Sequence, residues 1–190
     1  NNSNGLITFT KQINTNTKLI SDYFNVYVGL VSGKEHVYKH DLGNIRVLNK
    51  ENKKVKYIMI KSYPSEDKKI NKNLLKHKDF LIKRKIRKFN DTNWFEWGAP
   101  RNINVMEKDK NKKCIYVKNL TRDTQIAFLG KIDYCCSNLL MLNPTCDIDL
   151  DKIIIYLNSD MFKHNFIYSG RFKIGQRQLK NSYLTSSDIL

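Results

Sequence analysis

A chain of 190 residues with 41% apolar residues can bury a sizeable core, and its length is that of a single domain spanning residues 1–190. Its 34 Lys and Arg against 18 Asp and Glu leave a formal net charge of +16, which points to a polyanionic partner, nucleic acid foremost. No apolar run approaches the ~20 residues of a membrane helix and no signal peptide opens the chain, so a cytoplasmic protein without a membrane partner is expected.

The polar opening "NNSNG" at Asn1 reads as a cut edge of a longer protein. "GLITF" (Gly5–Phe9) is a short strand candidate, and "YFNVYVGLVSG" (Tyr23–Gly33) is a β-branched and aromatic strand closed by Gly33. "NIRVLN" and "KVKYIMIK" read as two strands joined by the polar turn "KENK". From Lys69 to Lys88 the period changes: Ile70, Leu74, Leu75, Leu81, Ile82 and Ile86 recur at helical spacing, so one amphipathic helix with a lysine-rich wet face is expected. The charge concentrates there, with ten Lys and Arg and one acid, Asp79, between Lys68 and Lys88. An evenly solvated lysine-rich surface would not cluster it so.

The aromatic block "NWFEWGAPRN" (Asn93–Asn102) follows. Trp94 and Trp97 are three apart and share a face on a helical turn, either as a core anchor or as a platform for an unpaired base. The anchor is favoured for at least one, with Arg101 and Asn102 carried to the surface by the Gly98-Ala99-Pro100 turn. "NVMEKDKNKKCIYV" reads as strand, charged turn and strand, and "TQIAFLG" and "DYCCSNLLML" continue the sheet up to Asn143-Pro144. "DIDLDKIIIYLNSDMFKHNFI" reads as helix, with Asp147, Asp149 and Asp151 at its dipole-favoured start. A glycine-punctuated loop, "SGRFKIGQRQLKNSYL", leads to a short terminal element. The expected class is α/β (α+β): a twisted mixed or antiparallel sheet with flanking helices.

The chemistry points away from catalysis in this chain. Cys114, Cys135, Cys136 and Cys146 form no C-x-x-C pair, the histidines are scattered, and reduced, mostly buried thiols are expected. The alternating aspartates lack the glycine and closing glutamate of a calcium loop. No phosphate-binding glycine loop, nucleophile elbow or zinc-protease motif is present. Binding remains, and three segments concentrate side chains that pair with bases or phosphates. "SGKEHVYK" (Ser32–Lys39) offers Lys34. "KNLTRDTQ" (Lys118–Gln125) offers Lys118, Asn119, Thr121 and Arg122. "GRFKIGQRQ" (Gly170–Gln178) offers Arg171, Lys173, Gln176, Arg177 and Gln178, with glycines that let the backbone approach closely. Lys83 and Lys85 on the basic helix are phosphate candidates, and Arg101 and Asn102 complete the set.

In this order, "VYVGLVSGKEHVYK", "LKHKDFLIKRKIRKFNDTNWFEWGAPRN", "KNLTRDTQIAFLG" and "YLNSDMFKHNFIYSGRFKIGQRQL" resemble the C-terminal target recognition domain of TaqI-like adenine-specific (N6) DNA methyltransferases, over roughly Phe24 to Leu184. More loosely they resemble the recognition domains of type I restriction-modification specificity subunits. The resemblance implies a double-stranded DNA partner and an upstream catalytic methyltransferase domain using S-adenosylmethionine. The family's methyl-donor loop is missing from this chain. Its N-P-P-Y type motif has only "NPTC" (Asn143–Cys146) as a partial match, which reads as a turn, so no catalytic residue and no cofactor is expected in the fragment. Two alternatives stand beside this reading: a nucleic-acid-binding module with no catalytic partner in the same chain, stand-alone or specificity-subunit-like, and an interaction domain with a basic surface.

Overall fold

The computed structural model describes residues 18–184 and the backbone of a small hairpin pairing Asn2–Ser3 with Leu6–Ile7. The expected strand Gly5–Phe9 is seen at Leu6–Ile7, and its other residues lie outside the described ones. The chain divides into two compact units, each assembled from separate stretches of sequence. One comprises Asn1–Val28, Asp109–Ile132 and Asn138–Leu190; the other comprises Gly29–Lys108 and Asp133–Ser137. None of these crossings is a Gly-, Pro- or Ser-rich linker, so no shift in composition marks them.

The first unit is built on a four-stranded antiparallel sheet in the order Phe24–Val28, Leu139–Pro144, Lys113–Lys118, Ala127–Lys131. The unbroken apolar run at Leu139–Leu142 is the signature of a strand with neighbours on both sides and no wet face, and all four residues are buried. Leu140 pairs with both Val28 and Val117, and Leu142 with both Val26 and Ile115. These aliphatic side chains form one core with Ile153, Leu157, Phe162, Phe172 and Leu179. The helix Leu150–Asn158 begins at Asp149, whose carboxylate accepts the Asp151 and Lys152 amides at 3.0 and 3.2 Å.

The single long helix expected here is two. Ser159 takes an extended conformation that ends Leu150–Asn158, and its hydroxyl accepts the Phe162 amide to start Asp160–His164. The expected glycine-punctuated loop is ordered as a hairpin, Ile167–Tyr168 with Arg171–Lys173, joined by Leu120–Thr121 into a three-stranded sheet. The helix Gln176–Lys180 and the strand Tyr183–Leu184, paired with Lys18–Leu19, close the unit.

In the second unit, the expected hairpin is present as Ile45–Leu48 paired with Lys54–Tyr57, and the Asn49 side chain accepts the Lys53 amide across its turn. Parallel bridges join Leu30 to Cys136 and Leu48 to Cys135. Gly29 allows this approach, because a Cβ there would lie 2.0 Å from the Cys136 carbonyl oxygen.

The expected helix Lys69–Lys88 is replaced by two short ones, Lys68–Leu75 and Lys78–Ile82, followed by a non-helical basic segment. Periodicity misplaced this segment because Arg84 is buried while Ile86 is exposed. The expected strand at "NVMEK" is instead the helix Ile103–Lys108. Asn102, at φ 59°, turns the chain so that its carbonyl accepts the Val105 and Met106 amides. No disulfide joins the four cysteines, all of which are among the described residues; Cys114 and Cys135 are buried, whereas Cys146, just past the turn after Pro144, is exposed.

Candidate nucleic-acid interface

The second unit turns its aromatic block inward. Trp94 and Trp97 are 2% and 4% exposed, so both are anchors and neither face is open to a base. The Trp97 indole N–H donates to the Ile58 carbonyl at 2.8 Å, with the Tyr38 and Tyr57 rings beside it. Trp94 meets Tyr63 edge-on.

Arg84 fastens this block to the basic segment. Its guanidinium donates to the carbonyls of Leu81 (2.7 Å), Ser32 (3.1 Å), Trp94 (2.6 Å) and Glu96 (2.9 Å), and lies 3.8 Å from the Phe89 ring centroid. Desolvation by burial lowers its pKa. Burial pushes the neighbouring Tyr38 phenol up to about 12, against the pull of Arg84, and that hydroxyl donates to the Phe95 and Glu96 carbonyls.

With Arg84 occupied internally, its neighbours face outward. Lys83 and Lys85 are exposed, and with Gly33, Lys34, Arg84 and Ile86 they line an open cleft of about 510 Å³. The Lys34 ammonium rests 4.0 Å from the Phe80 ring centroid. Lys34, Lys83 and Lys85 form no ion pair among the described residues, unlike Lys54 with Asp133, Lys78 with Asp91 or Arg87 with Glu96. Three like charges sharing one cleft repel one another, and an anion would relieve this. Arg101 is exposed without an ion pair among the described residues, and Asn102 is half-buried at the turn described above.

In the first unit the sequence candidates divide. Arg171 and Lys173 stand exposed on either side of buried Phe172, and Arg122 is exposed beyond the paired strand Leu120–Thr121. Other candidates are engaged within the protein. Lys118 pairs with Asp123 at 2.6 Å, and buried Thr121 accepts the Asp123 amide at 3.0 Å. Half-buried Asn119 accepts the Ile174 amide on its carbonyl. Gln176 donates its side-chain amide to the Val26 carbonyl at 2.6 Å, and Gln178 accepts the Gly175 amide at 2.8 Å, capping the helix that carries exposed Arg177. Sequence reasoning missed Tyr168, 76% exposed at the hairpin tip beside Arg171; an isolated aromatic next to a Ser-Gly turn was the only available signal. It also missed the structural role of Arg84, which looks in sequence like any other member of the basic run.

Among the described residues there is no cluster of His, Cys, Asp or Glu fit to hold a metal, and no helix long and apolar enough to cross a membrane. The chain's own atoms occupy the space beside Gly29, Gly43 and Gly130, at 2.0, 2.5 and 2.8 Å from a Cβ placed there.

Among the described residues, exposed basic side chains stand on a mixed α/β scaffold of antiparallel sheets with flanking helices. No family model matches the chain. It is 30% identical, over 213 residues covering 95% of this chain and 70% of the relative, to the type II methyltransferase M.MjaIV of Methanocaldococcus jannaschii. The chain belongs to this type II methyltransferase family. It is also similar to the type I restriction-modification S subunit from M. genitalium (TM-score 0.44, 14% identity, 93% of this chain and 35% of that one). A second similar structure is the type IIG restriction endonuclease BpuSI (TM-score 0.43, 13% identity, 90% of this chain and 24% of that one). The chain thus spans about a third and a quarter of the lengths of these two proteins.

Proposed function

We propose that the chain is the DNA target recognition module of a site-specific adenine-N6 methyltransferase of the TaqI-like kind, within a restriction-modification system. It holds duplex DNA in register while an upstream catalytic domain transfers the methyl group from S-adenosylmethionine. The observation that carries this reading is the 30% identity to a type II methyltransferase along 95% of the chain. The unpaired basic groups support it: Lys34, Lys83, Lys85, Arg122, Arg171 and Lys173 are available to phosphates or base edges. The resemblance to adenine-specific recognition domains supports the choice of adenine.

The test is binding of this chain to a labelled 30-base-pair duplex across a salt series, and methylation by the chain joined to its catalytic domain. If about five phosphates are neutralised, log K falls against log salt with a slope of roughly −4 to −5. A flat salt response refutes the DNA-binding reading. Methyl transfer to cytosine instead of adenine N6 refutes the finer one.

A further inference from the structure

The hairpin Ile167–Lys173 is a narrow ribbon with an anchored base and a free tip. At its base, Phe172 is buried, with its ring 6.1 Å from Phe166, which in turn lies 5.2 Å from Phe162. The third strand pairs only with Phe172 and Lys173, so Tyr168 and Arg171 extend beyond it. They face each other across a two-residue turn whose members, Ser169 and Gly170, both have positive φ, the hand that suits a tight antiparallel ribbon. Nothing lies within 4 Å of a Cβ placed on Gly170, so the tip stands clear of the protein.

Paired residues on a ribbon share a face, so the Tyr168 ring and the Arg171 guanidinium are presented together. Among the described residues Tyr168, at 76%, is the most exposed of the large apolar and aromatic side chains. A two-stranded ribbon fits the major groove, where arginine pairs with guanine and an apolar ring can pack against a thymine methyl.

We propose that the tip Tyr168–Arg171 is a groove-entering reading head for duplex DNA, with the Tyr168 ring as a specificity-determining contact to base edges. The inference deepens the DNA-recognition reading and rests on it. Lys173, further back on the same face, meets the phosphates at the groove's rim.

The experiment selects from a pool of duplexes with a randomised centre, using this chain and its Tyr168→Ala and Tyr168→Phe variants. The wild-type chain should enrich a consensus. Tyr168→Ala should bind that consensus roughly ten-fold or more weakly and lose preference at one or two adjacent base pairs, keeping the rest. Its salt slope should not change, because no charge is removed. Tyr168→Phe should retain the consensus, since the ring makes the contact. Because the side chain is exposed, neither variant should lose the fold, and circular dichroism checks this. A Tyr168→Ala consensus identical to wild type, at equal affinity or with uniform loss, overturns the reading-head assignment while leaving DNA recognition standing. Failure of the wild-type chain to enrich any consensus overturns the recognition reading itself and this inference with it.

Discussion

Replacing Arg84 with Met should destabilise the second unit by about 3 kcal/mol while nearly preserving side-chain volume. Arg84 is 5% exposed, and its guanidinium donates to four carbonyls from three stretches of chain. Three of those carbonyls keep another donor: Ser32 accepts Gly98 N at 3.0 Å, Glu96 accepts the Tyr38 hydroxyl at 3.0 Å, and Leu81 accepts the backbone N of residue 84 at 3.5 Å. The Trp94 carbonyl loses its described partner, and one buried polar group left unsatisfied costs ~1–3 kcal/mol. Weakening the other three sites and losing the stack on Phe89 adds ~1–2 kcal/mol, while release from desolvating the cation offsets part of the total. Arg84→Lys should cost about as much, because a compact ammonium does not reproduce the planar fork that reaches these carbonyls. Both tryptophans lie in this unit, so urea titration followed by tryptophan fluorescence reports its unfolding specifically. With a urea m-value of ~1–3 kcal/mol/M, the midpoint should fall by about 1–3 M. A shift worth less than ~1 kcal/mol in either variant would refute the view that Arg84 fastens the basic segment to the aromatic block.

Replacing both Lys83 and Lys85 with Ala should weaken duplex binding uniformly across sequences and reduce the salt slope by up to about one unit per lost phosphate contact, as measured by fluorescence anisotropy. Lys118→Ala should change it less, since its ammonium already pairs with Asp123. Gln178→Ala should lower thermal stability by ~1 kcal/mol through loss of the helix cap at Gly175, seen by circular dichroism, without altering base preference. Burial raises Cys114 from 9.0 and Tyr38 from 10.0, each to about 12. The folded state therefore keeps protons that the unfolded chain releases, and stability falls as pH rises. The loss should begin above about pH 9 in the first unit and above about pH 10 in the second, with a slope of up to ~1.4 kcal/mol per pH unit for each group, levelling near pH 12. Cys114→Ala should remove the first part of this loss, as followed by urea midpoints across the pH series.

Features set by short-range chemistry were legible in the sequence. Strand alternation and a polar turn predict the hairpin Ile45–Tyr57, and Asp149 marks a helix start, whereas of the strand expected at Asp133–Leu142 only Leu139–Leu142 lies in the four-stranded sheet. The ordered motif segments already pointed to a methyltransferase relative. Tertiary structure decided which member of each chemically uniform set does what. Arg84 and Lys85 are adjacent basic residues, yet carbonyls from Ser32, Trp94 and Glu96 converge on one and leave the other in water. Arg171 and Gln178 are seven residues apart and equally fit to touch a base, yet one flanks a free hairpin tip and the other caps a helix. A side chain's hydrogen-bonding capacity is set by its chemistry, but whether that capacity is spent inside the protein depends on partners that only the folded chain brings within reach.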